Sequence, residues 1–381
     1  MGIEGLLAHL KKLNPDIIHR VKIDKYAGKR IGVDAYNFLY AHFAIAQKGV
    51  NKKTDVINEE ADRNEMFKIV MQMFLDFYLK CCSINILLIM AFDGKKIPEK
   101  IGTLQRRSKQ SDKTKERIAD LEAKLENKDP LEINETDVDE LRKLKNQYNS
   151  VSKEEIQRFK DILIELGIPY IVSTFEGEKA CAMLSRDGIT AATYGKDSDL
   201  LAYGNRSILN NLKLEGYNIN GIPNYTMSEI DLKEVLILLK MNYVQFVDYC
   251  IMLGCDYGIR IKGMGPVKCY DFIIKEKCIE NLKVDYKCLN HEFCRREFAY
   301  LESKEMIDSG GIEIGIMGKC DNLCELGLGG YIAKIKEYHL LLKVGDTDKN
   351  VNNEFMSVKS LNETVETKKK INVILNILDK K

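Results

Sequence analysis

Four short apolar runs, each ending in a carboxylate and passing at once into a helical pattern, limit the folds open to this chain. "RIGVDAYNFLY" reads as a strand over Arg30–Val33, then Asp34, then a helix. "SINILLIMAFDGKK" is a continuous apolar strand followed by Asp93 and Gly94. "IPYIVSTFEGEKACAML" puts Glu176 and Glu178 where strand gives way to helix, and "GITAATYGKDSDLLAYG" follows a strand with Asp197 and Asp199. Amphipathic segments lie between them, with Phe67, Val70, Met71, Phe74 and Phe77 at helical spacing. Alternating strands and helices predict an α/β fold, a mostly parallel central sheet sandwiched by helices.

Strands of such a sheet deliver their C-terminal ends to one edge, and ligands bind in the crevice outside it. The four acidic sites collect there, and Asp256 of "LGCDYG" joins them from a loop. Any one of these acids alone reads as a helix N-cap or turn residue; four repeats of one arrangement call for another reason. Seven carboxylates in one cleft raise one another's pKa unless cations neutralise them. An all-oxygen donor set selects hard cations, so Mg²⁺, with Mn²⁺ as a substitute, is favoured over zinc. Two such ions side by side can activate water and stabilise both the attacking and the leaving oxygen of a phosphodiester.

Phosphate chemistry also needs cations. Lys100 and Arg107 lie two helical turns apart on one face of the helix that leaves the Asp93 strand end. Arg can fork onto phosphate oxygens and Lys can act as a mobile point charge. Farther along, Gly263-Met264-Gly265-Pro266 frees backbone N–H groups at a helix start, with Lys262 and Lys268 beside it. That is a cradle for a nucleic-acid phosphate, or else a plain interhelical turn.

The net charge of +1 announces no nucleic-acid partner, so any basic face must be local. The longest apolar run, "ILLIMAF" at 86–92, is far short of a membrane span, and "MGIEGL" lacks a signal-peptide pattern. A soluble, unsecreted protein is expected. Eleven cysteines in no regular spacing suit a reducing compartment, most as small buried hydrophobes. Cys288, His291, Cys294, Cys320 and Cys324 include a C-x3-C spacing and can supply a structural Zn²⁺ site.

Residues 105–160 are heavily charged, with Leu121 and Leu125 in one half and Leu141, Leu144, Tyr148 and Val151 in the other. Two long solvated helices inserted between the second and third strands account for them. The α/β core then comprises 1–104 and 161–256; 257–345 forms a helix, a glycine hairpin and further helices; 346–381 is a polar tail ending in one amphipathic stretch.

Taken together these motifs resemble the flap endonuclease and XPG-type family of structure-specific 5′ nucleases over about residues 1–275. "MGIEGLL", "VDAYNFLY", "FDGKKIPEKIGTLQRR", "FEGEKACAML", "GKDSDLLAYG" and "LGCDYGIRIKGMGP" follow in family order. The resemblance implies a PIN-like 5′-nuclease core in which Asp34, Asp93, Glu176, Glu178, Asp197, Asp199 and Asp256 bind two Mg²⁺ ions, directly or through water. It makes Lys100 and Arg107 the phosphate-steering cations, puts Gly2 close to the active site and has Tyr40 stack on the substrate. The charged helical pair becomes an arch for a free 5′ strand, and 257–275 a helix-two-turn-helix element that grips duplex DNA, with a bound K⁺. The expected partner is branched or flapped DNA, bound by a monomer in the nucleus or wherever DNA is replicated. The tail lacks the glutamine-then-double-aromatic motif of sliding-clamp clients, which argues against clamp docking.

The family has Glu-Ala-Glu-Ala where this chain has Glu176-Gly177-Glu178-Lys179, and an acid where Lys196 stands; both lysines are expected to add positive charge near the cleft. Flap endonuclease activity is the leading expectation. A 5′-3′ exonuclease of the same superfamily shares "KDSDLLAYG" and "GCDY", but residues 108–150 leave room for two full helices. A catalytically inactive junction-binding scaffold would have no use for seven mutually repelling acids.

Overall fold

Strand β3 (Leu87–Phe92) shows how the sheet divides the molecule. Alternate side chains of a strand point to opposite faces. Leu88, Met90 and Phe92 enter one apolar core, and Ile89 and Ala91 enter the other. A strand buried on both faces must be apolar throughout, hence the unbroken run in the sequence. This computed structural model describes residues 2–50, 59–95, 100–128, 135–147, 150–174, 176–217, 223–298, 312–313 and 320–336. Tyr148, the tail from 346 and its amphipathic stretch lie outside the described residues.

The other strands are β1 (His19–Lys22), β2 (Arg30–Asp34), β4 (Tyr170–Val172), β5 (Ala192–Tyr194), β6 (Ser207–Tyr217), β7 (Pro223–Asp231) and β8 (Ile312–Glu313). Their order is β1-β7-β6-β5-β2-β3-β4-β8. The centre, from β6 to β4, is parallel, while β7 and β8 run against it. The mostly parallel sheet expected from the sequence is therefore present, with antiparallel partners toward its edges. Chain order reverses at β2, which has β5 on one side and β3 on the other; this is the switch point where such sheets bind ligands.

One face carries α2 (Ala35–Val50), α3 (Glu59–Ser83) and α6 (Lys153–Leu166). The other carries α1 (Leu6–Leu13), α7 (Gly177–Arg186), α8 (Asp199–Ala202), α9 (Leu232–Leu239), α10 (Tyr243–Leu253), α11 (Pro266–Glu276) and α12 (His291–Phe298). The charged insertion is α4 (Ile101–Glu126) and α5 (Glu135–Gln147). Ile118 of the first and Leu144 of the second are buried, and the pairs Lys128–Asp137 and Arg117–Glu140, each at 2.6 Å, join the two. The insertion ends sooner than the expected 160. After the Ser152–Glu155 capping box, α6 buries Phe159, Ile162, Leu163 and Leu166 in the core.

Two further boundaries shift. The helix before the glycine hairpin is α10, ahead of residue 257, so 257–265 is itself the turn. Residues 312–313 pair with β4, and a short helix, α13 (Asp321–Glu325), buries Leu323 in the core shared with α6, so part of the 257–345 region completes the core. Among the described residues no single helix is long and apolar enough to cross a membrane.

Phe92 packs edge-on against Tyr170 and Tyr36 and lies 5.9 Å from Phe159, directly below the Asp93 strand end. Phe92→Ala should cost about 3–5 kcal/mol through lost transfer energy and a residual cavity. Urea unfolding of the two proteins checks this, read as a lower midpoint at unchanged m-value.

Candidate active site

The strand ends present their acids together, held by ordinary local structure. Asp34 ends β2 and accepts a hydrogen bond from Asn37 N–H at 3.0 Å, so it also caps α2. Asp93 follows β3 and accepts from Gly177 N–H at 2.7 Å, which ties two strand ends together at the start of α7. Glu176 is the residue before α7 and Glu178 lies in its first turn; Asp199 opens α8. Asp256 comes from the turn closed by the Cys255–Gly258 bridge.

Close packing here depends on two glycines. A Cβ on Gly177 would stand 2.8 Å from the Ala91 carbonyl oxygen. Gly2, at φ 118°, lies against the Asp197 loop, and a Cβ there would come within 2.5 Å of Asp197 Oδ1. The expected approach of the N-terminus to the site is thus a steric fact of this chain. Gly2→Ala should disturb the Asp197 loop and lower activity at least tenfold while leaving the melting temperature within a few degrees, measured by steady-state assay and thermal scan.

The cleft has two electrostatic halves. In one, the Lys100 ammonium pairs with Glu176 Oε1 and with Asp256 Oδ2 at 2.8 Å. Burial works against that ammonium, but Glu176 and Asp256 outweigh it and raise its pKa. Glu176 Oε2 accepts from the Tyr257 hydroxyl, and the Tyr203 hydroxyl lies 3.0 Å from the same oxygen and 2.5 Å from Tyr257. Both carboxylate oxygens of Glu176 are satisfied.

In the other half the acids perturb one another. Burial, then the neighbouring Asp93 carboxylate, pushes Asp34 up to about 7. Burial, then Asp34, Asp197 and Asp199, holds Glu178 well above the usual carboxylate range. Burial, then Asp197 and Asp256, does the same to Asp199, whose Oδ1 is buried without a hydrogen-bond partner. Asp93 is raised by burial, against the hydrogen bond from Gly177.

The donor set, oxygen throughout and short of positive charge, suits a hard divalent cation. Among the described residues, however, no group of three or more His, Cys, Asp or Glu side chains stands arranged to hold a metal ion. Lys100 spans Glu176 and Asp256, so an ion would enter only as these side chains turn. The cysteine–histidine zinc site expected from sequence does not form. Cys294 lies in the core with α10 and Cys320 in the core across the sheet, while Cys288 and Cys324 are exposed. His291 instead faces Glu280 at 3.4 Å. Apolar burial, with thiol contacts to the carbonyls of Leu289 and Glu165, accounts for the two buried sulfurs.

Lys100 sits at the N-terminal end of α4; Arg107 lies two turns along it, and its side chain falls outside the described ones. Tyr40 is 42% exposed on α2, near enough to Asp93 for that carboxylate, after burial, to raise the phenol's pKa. Beyond Asp256, Gly263 at φ 82° turns the chain into α11; Gly265 caps that helix, Lys262 is exposed, and Lys268 Nζ reaches Gly263 O at 3.3 Å. An open pocket of about 540 Å³ lies at this turn, lined by Glu4, Cys255, Arg260 and Lys262. Lys196 is exposed ahead of Asp197, but Lys179 departs from expectation. It is 2% exposed and paired with Glu297, so it adds no free charge to the cleft.

Known proteins resemble this chain over most of its length. The XPG N-terminal domain matches residues 1–114 and the XPG I-region residues 167–256. Flap endonuclease 1 of Entamoeba histolytica is 31% identical over 284 residues, 74% of this chain and 69% of that protein. The chain belongs to the flap endonuclease and XPG-type family. Flap endonuclease 1 of Plasmodium chabaudi chabaudi is 30% identical over 74% of this chain, which spans 57% of that relative's length. The fold of flap endonuclease-1 from Methanococcus jannaschii superposes with a TM-score of 0.50 at 20% identity, covering 86% of this chain and 98% of that one.

The family's strand-end acids carry a measurable cost here. An unfolded aspartate titrates near pH 3.9, whereas Asp34 titrates near 7 in the fold. The folded state therefore binds more protons between those values, and stability falls as pH rises through them. Asp34→Asn keeps the cap and removes the charge, so at pH 8 without divalent cations it should stabilise the protein by roughly 2–4 kcal/mol. The gain should vanish near pH 4; denaturant melts at the two pH values check both.

Proposed function

We propose that this chain is a divalent-metal-dependent, structure-specific 5′ nuclease that hydrolyses phosphodiester bonds at 5′ flaps or branched DNA junctions in replication or repair. The observation that carries the reading is the buried half of the cleft, where burial, and after it the neighbouring carboxylates, Asp197 among them in each case, raise the pKa of Asp34, Glu178 and Asp199. A binding module gains nothing from such acids, and a cation offsets their cost. In this reading they take two Mg²⁺ ions, with Mn²⁺ as a substitute, together with Asp93, Glu176, Asp197 and Asp256, directly or through water. Bound there, the ions supply activation of water and stabilisation of the attacking and leaving oxygens.

The chain's own groups do the rest. Lys100 exchanges its carboxylate partners for a phosphate oxygen, and Arg107 forks onto the same group. Tyr40, exposed beside Asp93, offers its ring to the base next to the scissile bond. Gly2 keeps the cleft open at Asp197. The N-terminus of α11, with Gly263, Gly265, Lys262 and Lys268, holds the duplex backbone, and the 257–265 turn would hold a K⁺ whose charge would favour a phosphate there. The pair α4 and α5 gives a free 5′ strand a passage, which favours flap cleavage over exonuclease action. Phosphate contacts of this kind read junction shape and weaken with salt.

An end-labelled 5′-flap duplex in Mg²⁺, with a blocked-end flap and EDTA in parallel, tests the proposal. Release of an intact flap, abolished by blocking or EDTA, is expected. Stepwise products from a recessed 5′ end would move the assignment to an exonuclease, and binding without cleavage to a scaffold. Asp197→Asn should lower cleavage at least 10³-fold with junction affinity within about threefold; loss of binding with the fold intact would contradict the site assignment.

A further inference from the structure

Helix α12 lies beyond both matched family regions, yet one face of it packs against Tyr203, Tyr257 and Lys179 beside the cleft. Phe293, Cys294, Glu297 and Phe298 fall at spacings of one, four and five residues, which brings them to one side of a helix. Phe293 packs edge-on against Tyr257 at 5.7 Å. Phe298 packs against Tyr203 at 5.1 Å and Tyr257 at 6.0 Å, beneath the two phenols that hold Glu176. Cys294 Sγ lies 3.6 Å from Cys255 Sγ, next to Asp256. Glu297 Oε2 accepts from Lys179 Nζ at 2.6 Å, with the lysine 2% and the glutamate 16% exposed.

Lys179 is an unusual residue for its place. It sits in the first turn of α7, where the helix dipole disfavours a cation, and it is buried. A buried ion pair stabilises a fold no better than a well-packed apolar pair, so stability alone does not explain it. Its position offers a different use. Lys179 follows Glu178 directly and Glu176 by three residues, so a bond at its tip fixes the rotation of the first turn that aims both carboxylates. A carboxylate roughly 6 Å from the helix axis moves by about 1 Å when the helix turns by about 10°. A misplacement of that size costs on the order of 10²-fold in rate.

We propose that Lys179 and Glu297 are positioning residues, a buried clamp by which α12 sets the direction of Glu176 and Glu178. Gly177 complements the clamp by letting α7 lie against the Ala91 carbonyl, with no Cβ to hold the two apart. The proposal rests on the reading of the cleft as a nuclease centre.

The test is a double-mutant cycle on the full chain with Lys179→Met, Glu297→Gln and both together. Lys25→Met serves as control, since it breaks the 2.6 Å pair to buried Glu229 at the far end of the sheet. Steady-state cleavage of a 5′-flap duplex and Mg²⁺-dependent thermal shift are read for each. Each clamp variant should lose ten- to a hundredfold in kcat with KM for the flap DNA within twofold. Half-saturation of the Mg²⁺ thermal shift should rise at least threefold, and the double variant should be no worse than the weaker single one. Lys25→Met should lower the melting temperature and leave kcat within twofold. If Lys179→Met does not fold, Glu297→Gln, at a partly exposed position, carries the test. Unchanged kcat and unchanged Mg²⁺ half-saturation in the clamp variants would overturn the proposal, as would a loss confined to KM. Absence of cleavage by the unaltered protein would remove the nuclease reading instead, and the Mg²⁺ shift would still decide whether the clamp aims the carboxylates.

Discussion

Burying Asp34, Glu178 and Asp199 at one edge of a parallel sheet costs free energy, because each ionised carboxylate loses water and gains like-charged neighbours. Hydrogen bonds from Asn37 to Asp34 and from Gly177 to Asp93 offset only part of that cost. The surrounding architecture supplies the remainder. Two apolar cores clamp the strands that carry the acids, and glycines at 2 and 177 let backbone approach where side chains would collide. Lys100, itself at the start of the charged insertion, pairs with both Glu176 and Asp256 and offsets part of their charge.

The two halves of the cleft are complementary. Glu176 is fully satisfied by an ammonium and two phenols and acts as a fixed point. Asp34, Glu178 and Asp199 remain under strain that a cation can relieve. A site built this way resists collapse, since the acids cannot close on one another, and it answers strongly to added positive charge. Helix α12 links the satisfied half to the C-terminal region through aromatic contacts with Tyr203 and Tyr257 and through the Lys179–Glu297 pair.

Much of this was legible in the sequence for a physical reason. Strands buried on both faces must be apolar, and a carboxylate at the end of such a strand stands out. The parallel centre of the sheet and the meeting of Asp34, Asp93, Glu176 and Asp197 at one edge follow from that pattern and the rules of parallel sheets, whereas the strand order was not legible. Partners brought in by tertiary packing were not legible. Tyr203 and Tyr257 sit inside recognised motifs, "DLLAYG" and "GCDYG", but nothing local says that both hydroxyls face Glu176. Lys179 read as added charge at the cleft because its partner Glu297 is 118 residues away. The zinc reading failed since cysteine spacing carries no information about which side of the sheet each thiol occupies.

We propose the strand-end acids as the seat of divalent cations. Anomalous diffraction from crystals of the full chain grown with Mn²⁺ tests it most directly. Two peaks among Asp34, Glu178, Asp197 and Asp199, with Lys100 turned away from Glu176, are the predicted result. Mn²⁺ bound elsewhere, or a cleft that keeps the Lys100 ion pairs at saturating metal, would contradict it.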